Sequence, residues 1–447
     1  LVARAGRDRV PPVSQANPLA TENKPELLRA IGRWALVALV LNGIIGSGIF
    51  GLPDDVARLI GGAAPWAYLL AALGMGVVMA VFAEVASQFR EAGGPYLWAR
   101  AAFGQFAGVQ MGWFAWLVRL TSGAANAGLF MESLGYFWPA AMQPYPRAAI
   151  LALLIGSLTL VNVRGVSGGA LASTLFVTAK LVTLGLFVVA GLALTREHVP
   201  IAPVAATLDD WSQAILALVF AYGGFEAAMM PMSEAKDPRR DAPFALFVAL
   251  AAVTVFYTLI HLVTMWTVPN LAASKLPLAD AAQTFFGPGG ATFVAAGAMV
   301  STFGWLAAQI VSAPRLTFAF AEQGDFPALF GAVHPRYRTP YVSIVAWGLL
   351  VLALAIYGSF VWNAILSAVG RLMTYGVVCA ALPVLRRRVP QADALRLPAV
   401  WLFVMVGLAF CVVFASRMNA EHAKIVTAVA AVGLLNWLAV RRRPSLA

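Results

Sequence analysis

Charge is scarce in this chain: Asp, Glu, Lys and Arg make up 11% of its 447 residues, where a soluble domain carries roughly 25%. With 61% hydrophobic residues beside it, that scarcity excludes a soluble fold and leaves a polytopic membrane protein. Cysteine is nearly absent. Cys379 and Cys411 both lie in apolar stretches, so no loop thiol is present for a structural disulfide or a disulfide-linked accessory subunit, and no CxxC metal spacing occurs. The four histidines (His198, His261, His334 and His422) are scattered. There is no HExxH, nucleophile elbow or phosphate loop, so a membrane enzyme, a metal site and a bound cofactor are not expected. The net charge of +11 belongs to the loops, where it reports topology and contact with anionic lipid headgroups rather than nucleic acid.

What the chain does have is apolar runs long enough to cross roughly 30 Å of hydrocarbon at about 1.5 Å per residue. About twelve are expected, over 34–60, 65–89, 106–137, 147–163, 170–194, 212–232, 243–267, 291–320, 340–357, 360–382, 398–416 and 422–440. If the spans alternate, 22 Lys and Arg fall on the side of the N-terminal tail and 6 on the other, with Arg119, Lys180 and Arg371 inside spans. Such a bias places both termini in the cytoplasm of a cell-membrane protein. Residues 1–33 are polar, basic and proline-containing, without the apolar core of a signal peptide. They are expected to form a cytoplasmic tail, with 441–447 as a basic tail at the other end.

Two of these spans are broken. Gly46-Ser47-Gly48, with Pro53 beyond it, interrupts the first, and Tyr222-Gly223-Gly224-Phe225, with Pro231 beyond it, interrupts the sixth. Unsatisfied backbone in hydrocarbon costs several kcal/mol per group, so irregular chain is tolerated there only where it lines a cavity. Interrupted spans in corresponding halves of a chain point to a transporter's binding site. The positions fit two five-helix repeats of opposite topology, about 34–194 and 212–382, forming a core (34–382) followed by two extra helices (398–440). Half-helices end in free N–H groups at one terminus and free carbonyls at the other, and an α-amino acid zwitterion needs both. Backbone N–H groups of Ser47 and Gly48 would bind a carboxylate, with the Ser47 hydroxyl as an extra donor. Carbonyls of Ile44, Phe220 and Gly223 would accept from the ammonium. Close helix packing through small residues explains a GxG, but neither Pro53 nor the second break.

The segment Asn42-Gly43-Ile44-Ile45-Gly46-Ser47-Gly48-Ile49-Phe50-Gly51-Leu52-Pro53 resembles the first-helix signature of the amino acid–polyamine–organocation (APC) superfamily. Glu91-Ala92-Gly93-Gly94-Pro95-Tyr96 through Phe103-Gly104 is similar to that family's loop after helix two. Phe220-Ala221-Tyr222-Gly223-Gly224-Phe225-Glu226 resembles its sixth-helix break, and Glu234-Ala235-Lys236-Asp237-Pro238-Arg239-Arg240-Asp241 the loop that follows. The resemblance covers about residues 30–390. It implies an all-α membrane protein of LeuT-type 5+5 inverted-repeat fold, with broken helices 1 and 6. It also implies alternating-access transport of an amino acid or amine, with the ligand at Ile44, Gly46, Ser47, Gly48, Phe220, Gly223, Gly224 and Glu226.

Lys180 lies about 15 Å into the fifth span at 1.5 Å per residue, and a buried ammonium there is costly. It is either a proton carrier used in coupling and gating or a fixed charge holding the inner ends of helices 1 and 8. In the resemblance it occupies the region where sodium-coupled relatives hold a cation, which implies proton coupling or sodium-independent exchange. Three roles are open to Glu226: contact with a cationic substrate, pH sensing, or accepting hydrogen bonds from the unwound backbone, the last being the simplest. Phe220 is a candidate lid and Tyr222 a weaker pocket candidate. Glu84, Arg119, His261 and Arg371 are also intramembrane, and such residues face the bundle interior or water. The resulting expectation is a secondary amino acid transporter, proton-coupled and sodium-independent, whose partners are its substrate, protons and lipid. Exchange is the alternative, as is polyamine or amine carriage, for which only Glu226 and Glu132 offer carboxylates. A non-transporting membrane sensor is more remote.

Overall fold

A computed structural model of the chain describes residues 31–89, 94–165, 169–195, 199, 204–229, 235–388 and 395–441. Several sequence readings lie outside these residues: the tail to residue 30, Glu91 to Gly93 of the loop motif, His198, Pro231, Glu234 and 442–447. The described chain is almost entirely helical. Its first half comprises α1 (Arg33–Ile44), α2 (Gly48–Gly51), α3 (Pro53–Ile60), α4 (Ala64–Gln88), α5 (Gly94–Phe103), α6 (Gln105–Phe137), α7 (Pro144–Val163) and α8 (Gly169–Leu194). The second comprises α9 (Leu208–Tyr222), α10 (Phe225–Ala228), α11 (Pro238–Thr267), α12 (Pro277–Glu322), α13 (Tyr341–Tyr357), α14 (Phe360–Arg388), α15 (Val400–Ala415) and α16 (Ala420–Val440).

Among the described residues, eight stretches are long and apolar enough to cross a membrane, and α13 and α15 are shorter apolar helices. Apart from the two breaks and the ends of some intervals, the described residues of the expected apolar intervals are helical, with three differences of physical interest. The third, α6, is not among the eight, because Arg119, Thr121, Ser122 and Asn126 dilute its apolarity; Thr121, Ser122 and Asn126 are buried inside the bundle. The eighth extends outward as Pro277–Glu322 but breaks at Gly287, where φ is 66° and ψ −163°. Such a conformation suits glycine. The segment after α4, read as a loop, carries the helix α5.

Burial sorts the helices into an inner and an outer set. In α14, 72% of the apolar window is buried, against 17% in α7 and 11% in α16. The second half of α4 is buried from Val78 to Gln88. Leu153, Leu349, Leu402 and Leu435 lie exposed on α7, α13, α15 and α16, as expected of faces turned to lipid. Two buried carboxylates brace one end of the bundle. Glu84 accepts from Arg386 (2.7 Å at Nη2) and from the Leu397 N–H at 2.9 Å, so it ties α4 to α14. Asp325, after α12, accepts from the Tyr96 hydroxyl, from Arg100 Nη1 at 2.6 Å and from Gln105 Nε2 at 2.9 Å. That fixes the α12 end onto α5. A parallel bridge pairs Ile31 with Ala235, where the Lys236 N–H donates to the Ile31 carbonyl at 2.9 Å. The chain entering α1 is thereby held beside the chain approaching α11.

Candidate functional site

The two breaks cross each other. After Ile44 the backbone turns extended at Ile45 (φ −73°, ψ 91°), passes through Gly46 and Ser47, and resumes as α2 at Gly48. After Tyr222 it is extended at Gly223 and left-handed at Gly224 (φ 108°, ψ −17°) before α10 begins. A side-chain carbon on Gly43 would lie 2.7 Å from the Gly224 carbonyl oxygen, and one on Gly224 would strike the Gly43 carbonyl. A carbon on Gly48 would lie 2.9 Å from Ala221 Cα. Only glycine permits main chains this close. Tyr257 of α11 reaches the joint from the side. Its hydroxyl lies 3.2 Å from the Ile44 carbonyl oxygen and 3.4 Å from that of Ala221, so one donor serves a carbonyl from each broken helix.

A small cavity of about 20 Å³ sits at the crossing. Ile44, Gly46, Ser47 and Gly48 line it from the first break and Phe220 and Gly223 from the second. Ser122 and Asn126 of α6, Trp305 of α12 and Arg371 of α14 complete it. Three polar atoms here lack hydrogen-bond partners: Ser47 Oγ (residue 1% exposed), Asn126 Oδ1 (2%) and Arg371 Nε (5%). Ser47 occupies the N-cap position of α2, where a serine hydroxyl ordinarily accepts from the first turn, yet it makes no such bond. Among the described residues no backbone carbonyl accepts from the Ser47 or Gly48 N–H. Buried polar groups are normally paired, so this cluster of unmet donors and acceptors is what a polar ligand would satisfy.

Charged side chains surround the crossing. Glu226 accepts from Arg371 Nη1 at 2.6 Å, from the Tyr375 hydroxyl at 2.9 Å and from the Gly224 N–H at 2.8 Å. Arg371 Nη2 also donates to Ser122 Oγ at 3.2 Å. Lys180 of α8 aims its ammonium at the end of α1, donating to Ile45 O at 2.6 Å, Asn42 Oδ1 at 2.6 Å and Asn42 O at 3.1 Å. Two further cavities adjoin the first. One, of about 70 Å³, is lined by Arg119, Arg371, Glu226 and Gln309, and the other, of about 180 Å³, by Lys180, Asn42, Ser301 and Gln309. Gly43 and Trp305 line all three, so the indole stands where they meet.

Residues 31–435 match the family model described as "Amino acid permease". The chain belongs to the amino acid permease family. The permease is 30% identical to an arginine/ornithine antiporter of Latilactobacillus sakei, across 74% of the permease and 72% of that relative. It is 29% identical to the serine/threonine exchanger SteT of Bacillus subtilis (strain 168), across 71% and 74% of the two chains. A methylthioribose transporter of the same organism is 26% identical across 96% of each chain. The family is one of transporters rather than enzymes.

Of the ligand residues expected from sequence, Ile44, Gly46, Ser47, Gly48, Phe220 and Gly223 meet at the central cavity, while Gly224 and Glu226 line the one beside it. Phe220, which lines the cavity, packs edge-on against Phe360, their centroids 6.2 Å apart. Tyr222 turns away, fully buried, with its hydroxyl 3.1 Å from the Tyr68 carbonyl. His261 packs on Tyr68 with centroids 5.1 Å apart, and Arg119 donates to Gln309 Oε1 at 2.8 Å. Lys180 donates to Asn42 and Ile45 at the end of α1, and among the described residues it makes no hydrogen bond to α12. At the start of α11, Arg240 and its N-cap residue Asp237 form a loose pair at 3.9 Å. Sequence reading missed Gly43, Ser122, Asn126, Tyr257, Trp305 and Tyr375. Asn126 and Ser122, four apart within the third apolar run, were the available signal. Nothing local marks Trp305 or Tyr257 among the chain's other aromatics.

Proposed function

We propose that this permease carries α-amino acids across the cytoplasmic membrane by alternating access, as a sodium-independent secondary transporter. The proposal includes the LeuT-type arrangement: twelve spans, two inverted five-helix repeats with two helices appended, and both termini in the cytoplasm. The observation that carries it is the cavity at the crossing of two broken helices, with its unmet polar atoms. The Ser47 and Gly48 N–H groups and the Ser47 hydroxyl suit an α-carboxylate. The Phe220 and Gly223 carbonyls, and the second lone pair of the Ile44 oxygen, suit an α-ammonium. Rocking about the glycines of the two breaks would open the cavity to either side.

Lys180 stands in for a coupling cation, because its ammonium occupies the carbonyl oxygens at the α1 break that a metal ion would need. A proton leaving Lys180 would release that joint, which is the proposed route of proton coupling. Exchange is the second reading. It is favoured by the three acceptors that match all three ammonium donors, and by the two relatives that bear exchange in their names. Amine carriage is disfavoured. Glu226 already holds three donors, and Glu132 lines none of the three cavities.

The test is uptake of a labelled amino acid panel into proteoliposomes, with and without an inward proton gradient and with and without internal amino acid, for wild type and Lys180→Ala. Gradient-driven uptake in wild type, with its pH dependence lost in the variant, is the expected result. Uptake indifferent to the gradient but dependent on internal amino acid assigns exchange. No uptake of any amino acid under any condition overturns the proposal.

A further inference from the structure

Besides the Ser47 hydroxyl, the central cavity is lined by one side chain with a free acceptor and one with a free donor, and both are pinned. Asn126 donates through Nδ2 to the Ser122 carbonyl, one turn back on α6, at 2.8 Å. That bond settles which way the amide faces, since turning it over would set oxygen against oxygen, and it leaves Oδ1 without a partner. Arg371 is held at both ends of its fork. Nη1 donates to Glu226 Oε1 at 2.6 Å and Nη2 to Ser122 Oγ at 3.2 Å, while Nε has no partner. The two residues are 2% and 5% exposed. Buried polar groups are costly to leave unpaired, and the more so within a membrane.

The charge of Arg371 already has its counter-charge in Glu226. What Asn126 and Arg371 ask of a ligand is therefore one donor and one acceptor, not a charge. A hydroxyl supplies both from a single oxygen. A carboxylate would set an anion against Asn126 Oδ1, an ammonium has no lone pair for Nε, and a methyl group leaves both unmet. An amide carries both, but on two atoms of a longer side chain, so asparagine is the nearest competitor. Space points the same way. At about 20 Å³ the central cavity is the smallest of the three that meet at the crossing, and Phe220 and Trp305 stand in its wall, so a short side chain displaces least. We propose that the permease selects hydroxy amino acids of the serine and threonine class. The side-chain hydroxyl donates to Asn126 Oδ1 and accepts from Arg371 Nε, while the two helix breaks hold the α-carboxylate and α-ammonium. This rests on the reading of the breaks as the α-amino acid site, and adds Asn126 and Arg371 as the residues that set specificity.

The purified full chain is titrated with two matched pairs, L-serine with L-alanine and L-threonine with L-valine, and with L-asparagine, L-leucine, L-arginine and L-glutamate. Binding is read by shift of the melting temperature and by uptake of the labelled compounds into proteoliposomes. Within each pair the hydroxy acid is expected to half-saturate at a concentration roughly tenfold or more below that of its partner, because the partner leaves two buried groups unpaired. Asn126→Leu removes the free acceptor at similar size. Arg371→Lys keeps a charge for Glu226 but has no Nε–H. Each is expected to bring serine and alanine to within about threefold of one another while alanine binding changes little. The inference is overturned if alanine binds as tightly as serine and valine as threonine, or if the serine-over-alanine ratio is unchanged in both variants. Asparagine, leucine, arginine or glutamate binding as tightly as both hydroxy acids also overturns it. In each of these outcomes an amino acid still binds, so the reading of the breaks survives. If no amino acid shifts melting or crosses the membrane, the transport proposal itself fails and this one falls with it.

Discussion

At the scale of single residues, Ser47 is the most telling. It stands at a helix start, 1% exposed, with a hydroxyl that caps nothing, and in the proposed function that hydroxyl is a donor to the substrate. Ser47→Ala therefore separates binding from folding. The substrate-free protein should melt no lower than wild type, since the lost hydroxyl had no partner. Substrate affinity should fall about tenfold, near 1.4 kcal/mol. Thermal melts of the free protein and a substrate titration check both halves, and a lowered melting point with unchanged affinity would remove Ser47 from the site. Gly48→Leu, the substitution suggested by sequence alone, is a blunter probe, because its first carbon already meets the α9 backbone at Ala221. Gly46, Ser47, Gly48, Gly223 and Gly224 were readable because a helix breaker inside an apolar run is a local signal. The partner of Glu226 was not, because Arg371 lies 145 residues away and only the fold makes them neighbours.

At the scale of elements, the broken helices replace lost internal hydrogen bonds with bonds to side chains. Lys180 serves the end of α1, Glu226 serves the Gly224 N–H, and Tyr257 spans both. Tyr257→Phe removes the shared hydroxyl and should lower stability by about 1 kcal/mol, the usual net worth of such a bond. Tyr357→Phe, at a side chain 90% exposed, is the control and should leave the melting temperature unmoved. Helix existence was readable from apolar length throughout. The break at Gly287 and the helix α5 were less so, because amphipathic segments beside a membrane lack the continuous hydropathy on which the reading relied. The polar content of α6 depresses the very signal used to find a span, for the same reason that it lines the site.

At the scale of the whole molecule, alternating access requires that the cavities beside the crossing communicate with one compartment at a time. Ala308 lines the cavity that also holds Lys180. Both native cysteines are buried and can be replaced by alanine to give a clean background. In that background Ala308→Cys should react with a membrane-impermeant thiol reagent from the cytoplasmic face, more slowly when substrate is present. Labelling rates in right-side-out and inside-out vesicles measure this. Equal rates from both faces would contradict single-sided access. They would also count against the orientation expected from the Lys and Arg asymmetry, a feature that sequence offers directly while the coordinates of the helices do not.

The crossing of Gly43 and Gly224 carries one further consequence, for how this protein can drift. At each of the two positions an added carbon meets main chain rather than a side chain. No substitution elsewhere can make room, and no exchange between the pair relieves both at once. If the cavity there is the substrate site as proposed, its side chains are free to vary with the cargo, while the point where the two chains touch admits only glycine.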